Sequence, residues 1–227
     1  MQLRSDWSAR VVVDSSAMDW VDSPSAGVQR KMLERDGDEV ARATTVVRYA
    51  PDSHFPRHVH ELGEELFVLD GEFCDESGRF GVGSYIRNPP GSTHAPWSDD
   101  GSVLFVKLRY FDPMDQARVV VHSRDALWQP GLVPGLSVMP LHEFRTQHTA
   151  LVSWAPGTYF KPHRHYGGEE ILVVDGVFED EHGCYPTGSW LRNPHLSQHQ
   201  PFSREGCIIL VKTGHLIVDD RNGEGGN

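Results

Sequence analysis

Three histidines and a glutamate carry the chemistry this chain could do. They stand in the stretch His58-Val-His60-Glu-Leu-Gly-Glu64-Glu65 and, further on, in Gly83-Ser-Tyr-Ile-Arg-Asn-Pro89-Pro90-Gly91-Ser-Thr-His94. Alternate side chains of an extended strand share a face, so His58, His60 and Glu64 point one way. Imidazole nitrogen and carboxylate oxygen suit a divalent first-row metal ion, and His94 supplies a fourth donor if the fold returns it to the same place. Such a set leaves one or two positions of an octahedral ion for water or substrate, the open coordination that Lewis-acid or oxygen chemistry needs. A lone His-x-His pair, by contrast, is more often two half-exposed strand histidines than a metal site.

The pair is not alone, because the whole stretch occurs twice. His163-Arg-His165-Tyr-Gly-Gly-Glu169-Glu170, Gly176, Gly188-Ser-Trp-Leu-Arg-Asn-Pro194 and His199 repeat it at a displacement of 105 positions. Trp20 and Gly27 recur as Trp128 and Gly135 at a displacement of 108, so the repeat begins well before the donors. A three-residue difference therefore falls between Leu33 and Thr44, where the charged segment Glu34-Arg-Asp-Gly-Asp-Glu39 accommodates it and Asp36-Gly37 reads as a turn. The second copy departs from the first at His195 and Leu196, which replace Pro90 and Gly91. Leucine takes a left-handed backbone angle only at a cost, so this corner is expected to differ in shape and to leave the first site the better one. His195 reads as a loop histidine, with a role as an extra donor the alternative.

At these residues the chain resembles the cupin superfamily, whose two motifs read G-x5-H-x-H-x3/4-E-x6-G and G-x5-P-x-G-x2-H. His58, His60, Glu64 and Gly71, then Gly83, Pro89, Gly91 and His94, satisfy most of both. The leading glycine of the first motif is Asp52 in the first copy and Gly157 in the second. A closer likeness, through His-x-His-x-x-Gly-Glu-Glu, Val-Leu-Asp-Gly and Arg-Asn-Pro, is to the ChrR-like cupin family, named for the cupin half of an anti-sigma factor. The resemblance covers nearly the whole chain. It implies an all-β fold of two tandem cupin barrels (double-stranded β-helix, or jelly roll), spanning residues 1–112 and 113–218, with a polar, glycine-rich and disordered tail at 219–227. Each barrel is expected to carry up to one divalent ion, zinc, iron, manganese or nickel, on His58, His60, Glu64 and His94 or on His163, His165, Glu169 and His199.

The resemblance points to a metal-dependent enzyme acting on a small organic molecule, of which a dioxygenase is one form. The alternative is a zinc-binding sensor module. Family members that grip a sigma factor do so through an N-terminal His/Cys zinc segment, and here no cysteine precedes Cys74, which argues against a sigma-factor partner. The 32 acidic against 21 basic residues, a net charge of −11, and the lack of a basic cluster argue against nucleic acid and anionic membrane. Cys74, Cys184 and Cys207 form no Cys-x-x-Cys pair, so neither a disulfide framework nor a thiolate zinc site is expected. With no signal-peptide pattern at the N-terminus and no apolar run of membrane-spanning length, the expected compartment is the cytoplasm.

The elements that must position the donors read as strands. Residues 44–49 and 103–108 are β-branched and aromatic; Asp70-Gly71 and Ser77-Gly78 read as turns on either side of a short hairpin arm at 72–75. Residues 112–117 carry a short helical pattern in the connection between copies. Leu66-Phe-Val-Leu69 and Ile171-Leu-Val-Val174 are apolar on both faces, so a second sheet or a partner, within the chain or across a homodimer, is expected to cover them. Glu65 and Glu170 should face away from the donors. Arg87, Arg192, Lys107 and Lys212 also recur; either a cation holds an anionic substrate, or Arg87 pairs with Glu65, and the pairing is the preferred reading. Tyr49, Trp97, Tyr159 and Phe202 are expected to pack at the barrel mouths.

Overall fold

Long antiparallel strands dominate the computed structural model, which describes residues 1–38 and 40–216, so the tail at 219–227 lies outside the described residues. The chain forms two compact units, Met1–Ser5 with Val13–Gln129, and Asp6–Val12 with the residues from Pro130 onward. In the first unit the principal sheet runs Gln2–Leu3, Val28–Gly37, Ala41–Tyr49, Ser102–Leu108, Glu64–Asp75, Ser84–Asn88, Val119–His122. In the second it runs Leu136–Phe144, Gln147–Trp154, Cys207–Thr213, Glu169–Asp180, Ser189–Asn193, with Val11–Asp14 at its edge. The described residues contain strands, turns and bends and no helix, so the all-β class expected from the sequence holds.

Period-two alternation decides which side chains enter each core. Leu66 and Val68 join Val28, Tyr49, Phe73, Phe80, Ile86, Leu104 and Val106 in the first; Ile171 and Val173 join Leu136, Trp154, Phe178, Tyr185, Leu191 and Ile209 in the second. Tyr49 is thus a core residue and not a mouth residue. Tyr159 does sit outside, 56 % exposed, with its ring stacked on Phe202 at 5.0 Å.

The outward face of the strand Glu64–Asp75 carries charge into a buried layer. Arg87 is 1 % exposed, places Nε 3.2 Å from Glu65 Oε1 and Nη2 2.7 Å from Asp115 Oδ2, and lies 3.7 Å over the Phe111 ring. Lys107 Nζ donates to Thr44 Oγ1 at 2.9 Å. The preferred pairing of Arg87 with Glu65 therefore holds, because a buried guanidinium requires carboxylates beside it.

Three local readings of the sequence are corrected. Asp70-Gly71 is no hairpin turn: the strand Glu64–Asp75 continues through it, and its register against Ser102–Leu108 slips between Val103 and Leu104. Gly71 takes a φ of 69° there, and any Cβ would collide with the carbonyl oxygen of Gly101, so the glycine serves a bend between sheets. Residues 112–117 form no helix, because the Asp112 carboxylate accepts the Met114 N–H at 2.9 Å and the Asp112 carbonyl accepts the Asp115 N–H at 2.9 Å, closing a turn. Asp36-Gly37 is still paired strand, Gly37 facing Ala41. Between the equivalent pairs Asp36↔Arg42 and Phe144↔Gln147 there are five residues in the first hairpin and two in the second, so the three-residue difference sits at the hairpin tip.

Candidate metal centre

A small antiparallel pair brings the first cluster together: His58–His60 lies beside Ser92–His94, with His94 opposite His58 and Ser92 opposite His60. His60 Nε2 and His94 Nε2 are 2.9 Å apart, and Glu64 Oε2 is 3.3 Å from the first and 3.5 Å from the second. The three imidazole centroids are 4.6, 4.9 and 4.8 Å from one another. In the second unit His165 Nε2 and His199 Nε2 are again 2.9 Å apart, with Glu169 Oε2 at 3.4 and 3.6 Å. His163, His165, Glu169 and His199 each offer an atom within 4.8 Å of the rest, as do His58, His60 and His94.

This spacing fits a cation. Donors about 2.1 Å from one ion lie about 3.0 Å apart at a right angle and about 3.4 Å apart at a tetrahedral angle. Two imidazole nitrogens that close otherwise need a shared proton; a divalent ion resolves their facing lone pairs. Both histidine clusters could hold a metal ion.

The outer nitrogens are held by groups that fix the rings. His58 Nδ1 meets the Pro56 carbonyl at 2.8 Å, His94 Nδ1 meets Asp75 Oδ2 at 3.2 Å and His163 Nδ1 meets the Lys161 carbonyl at 3.2 Å, while His199 Nδ1 lies 3.5 Å from Asp180 Oδ2, at ion-pair distance and short of a formed hydrogen bond. Asn88 and Asn193 each donate Nδ2 to the cluster glutamate, Glu64 or Glu169, at 3.0 Å. Partners of this kind place the proton on Nδ1 and turn Nε2 inward.

Electrostatics divides the imidazoles. Burial lowers the pKa of His60 and His165, the latter to about 4, so both offer a lone pair at neutral pH. Burial also opposes charge on His94 and His199, but the facing Asp75 or Asp180 and the nearby Glu64 or Glu169 outweigh it and raise both. Asp75 and Asp180 fall to about 2: burial pushes them up, and the histidine together with their hydrogen-bond donors pulls them down further.

The corner before the last histidine does not differ as the sequence suggests. Leu196 adopts a φ of 64°, close to the 82° of Gly91, and its N–H reaches the His165 carbonyl at 2.8 Å as that of Gly91 reaches the His60 carbonyl at 2.8 Å. Left-handed leucine costs about 1–2 kcal/mol, and the backbone bonds on either side hold it in place. His195 does not join the donors; its Nδ1 accepts the Gly167 N–H at 2.8 Å.

What differs is the wall. The first cluster opens on a cavity of about 440 Å³ lined by Arg30, Val47, Tyr49, Phe55, Phe73 and Leu104. The second opens on about 170 Å³ lined by Val138, Val152, Trp154, Phe160, Phe178 and Ile209. Arg30 faces Val47 across the strand pair, as Val138 faces Val152. Arg30, with Arg35 and Arg109 also in the lining, and not Arg87 or Lys107, thus brings positive charge to the first cavity. Sequence reasoning missed Arg30, because its counterpart is apolar and it does not repeat. Asp75, Asp180, Asn88 and Asn193 were also missed as ring and carboxylate holders, although each pair recurs at the 105-residue displacement.

The ChrR Cupin-like domain family matches residues 8–112 and again 116–217. Among solved structures, a candidate dioxygenase from Nostoc punctiforme is similar at a TM-score of 0.73 and 14 % identity, covering 93 % of this chain and 85 % of that one. Protein YlbA of E. coli is similar at 0.72 and 15 %, covering 94 % of each chain. An oxalate decarboxylase from Lactobacillus farciminis, solved with formate, is similar at 0.63 and 13 %, covering 91 % and 86 %. These likenesses bear on the fold. No curated protein matches the chain.

Proposed function

The chain belongs to the ChrR Cupin-like domain family, in two tandem copies, and from that premise we propose that it is a metal-dependent enzyme acting on a small organic molecule, with the first barrel as the reacting site. The observation that carries the reading is the convergence of His60 Nε2, His94 Nε2 and Glu64 Oε2, 2.9 to 3.5 Å apart, on a cavity large enough for a small substrate. A bound divalent ion would supply Lewis-acid or oxygen chemistry on His58, His60, Glu64 and His94. Asp75 and Asn88 hold the donors' orientation, Tyr49, Phe55 and Phe73 exclude water, and Arg30 favours a substrate bearing a carboxylate or another anionic group.

The second barrel, with the same donors in a tighter apolar space, reads as a metal site of structural or regulatory use. The chain's structural likenesses include a candidate dioxygenase and an oxalate decarboxylase. They support small-molecule turnover in general and leave the reaction to experiment. The test is metal analysis of the purified chain, then a screen of small organic acids with and without oxygen after reconstitution with iron, manganese, nickel or zinc. Turnover that survives removal of the first cluster, or a chain that retains no metal under any loading, would defeat the reading.

A further inference from the structure

We propose that Arg10 is a positioning residue for the second histidine cluster, one guanidinium fixing both side chains that orient His199 and Glu169. The proposal rests on the metal-site reading above. Arg10 lies in the segment Asp6–Val12, which belongs to the second unit although residues of the first flank it on both sides in the chain. Its Nη2 is 3.1 Å from Asp180 Oδ2 and 2.7 Å from Tyr185 Oη, and its Nε donates to Asn193 Oδ1 at 3.0 Å. The guanidinium also lies 5.6 Å over the Tyr185 ring.

Each of these contacts leads one step inward. Asp180 Oδ2 faces His199 Nδ1 at 3.5 Å, and Tyr185 Oη supports the same carboxylate through Oδ1 at 2.7 Å. The amide of Asn193 has two ways round; because its oxygen accepts the Arg10 N–H, its NH₂ must turn to Glu169 Oε2, where it donates at 3.0 Å. A planar fork can serve a carboxylate and an amide together, which a single ammonium cannot. The segment is itself held down, since the buried Arg192 donates to the Asp6 carbonyl at 2.6 Å.

The first unit manages differently. Arg118, the repeat counterpart of Arg10 at a displacement of 108, donates to Ser77 Oγ at 2.6 Å and so stands one residue further from its site. Asp75 takes the Ser77 N–H at 2.7 Å and the Ser77 hydroxyl from its own turn, as Asp180 takes the His182 and Gly183 N–H groups at 2.8 and 3.1 Å, so the guanidinium is an addition made in the second unit alone. Phe80 occupies the place of Tyr185 and brings no hydroxyl.

Cobalt(II) titration of the full chain tests this, following the visible ligand-field absorption. In a His60→Ala background, which leaves the second cluster intact, Arg10→Ala should weaken cobalt binding by about 10-fold, the lower end of the loss from removing a group that touches a ligand directly, because Arg10 acts through Asp180 and Asn193. In a His165→Ala background the same substitution should change the first cluster less than about twofold. Arg10→Lys should fall between, shifting the absorption band because only one of the two holders is reached. Equal weakening of both clusters, or an unchanged second cluster, overturns the proposal. If the unsubstituted chain binds no cobalt, the metal-site reading fails separately, and the role of Arg10 is judged on the metal-free chain: Arg10→Ala should move the ¹⁵N shifts of the His199 ring and Arg118→Ala should not. An unmoved ring sinks it.

Discussion

The first barrel offers its histidines to a cavity of about 440 Å³ with Arg30 and Tyr49 in its wall, while the second, with Val138 and Trp154 at those positions, leaves about 170 Å³. The paired Nε2 atoms are 2.9 Å apart in both, and the clusters differ in their glutamate, since Glu169 lies within 4.8 Å of all three of its histidines and Glu64 approaches only His60 and His94 that closely. Duplicated barrels can therefore diverge in use without touching a ligand. Strand pairing fixes donors rigidly, whereas a wall residue can change from valine to arginine or tyrosine to tryptophan at little cost to the fold. The Leu196 corner, built like its Gly91 counterpart, gives no ground for the expected inequality of the two sites.

The sharpest way to break this comparison is to remove one donor from each barrel. His60→Ala is expected to abolish turnover, by about 100-fold or more, while His165→Ala leaves it within about threefold; bound metal and rate are measured on both. Equal losses, or a larger loss from His165→Ala, would make the small cavity the reacting one.

Where the barrels are alike, equal effects are expected. Gly71→Ala and Gly176→Ala each set a Cβ against a carbonyl oxygen, of Gly101 and Gly206, at a left-handed φ, and should cost about 3 kcal/mol apiece in denaturant unfolding. If one tolerated alanine, the bend between sheets would not be shared.

The corner comparison is sharpened by exchange. Leu196→Gly should stabilise the chain by about 1 kcal/mol by relieving its positive φ, seen as a raised midpoint, since the 42 % exposed side chain gives up little burial. Gly91→Ala should cost about the same, because open space surrounds the added Cβ and only the backbone angle resists. A large loss of metal from Leu196→Gly would show that the leucine does more than turn the chain.

The smallest effect concerns the thiols. Burial raises Cys74 in the first unit and Cys207 in the second to about 11, above their ordinary value near 9, so the folded chain holds these protons more tightly than the unfolded one. Stability should then decline as pH rises from about 9 toward 11, and a thiol reagent near pH 8 should label only the exposed Cys184 before unfolding. Rapid labelling of Cys207 would show the second core to be the looser.

Much of this was legible in the chain itself. The His-x-His-x3-Glu spacing, repeated at 105 residues, determined the duplication and the all-β class, because strand periodicity is a local property of sequence. The shared face expected of one extended strand is corrected: His58–His60 and Glu64–Asp75 are separate strands in different sheets, and a turn through Gly63, at a φ of 78°, swings Glu64 back beside the histidines. Turn chemistry was legible at Ser77-Gly78 but misleading at Asp70-Gly71, since a glycine at positive φ serves a bend between sheets as readily as a hairpin. The outer holders Asp75 and Asn88 repeat and could have been found; Arg10 could not, since nothing along the chain says that a residue at position 10 reaches Asp180 and Asn193. Cavity size was beyond the sequence as well. Volume is what remains after side chains from many strands have packed, so Arg30, Tyr49 and Trp154 acquire their meaning only once tertiary structure sets them around the histidines.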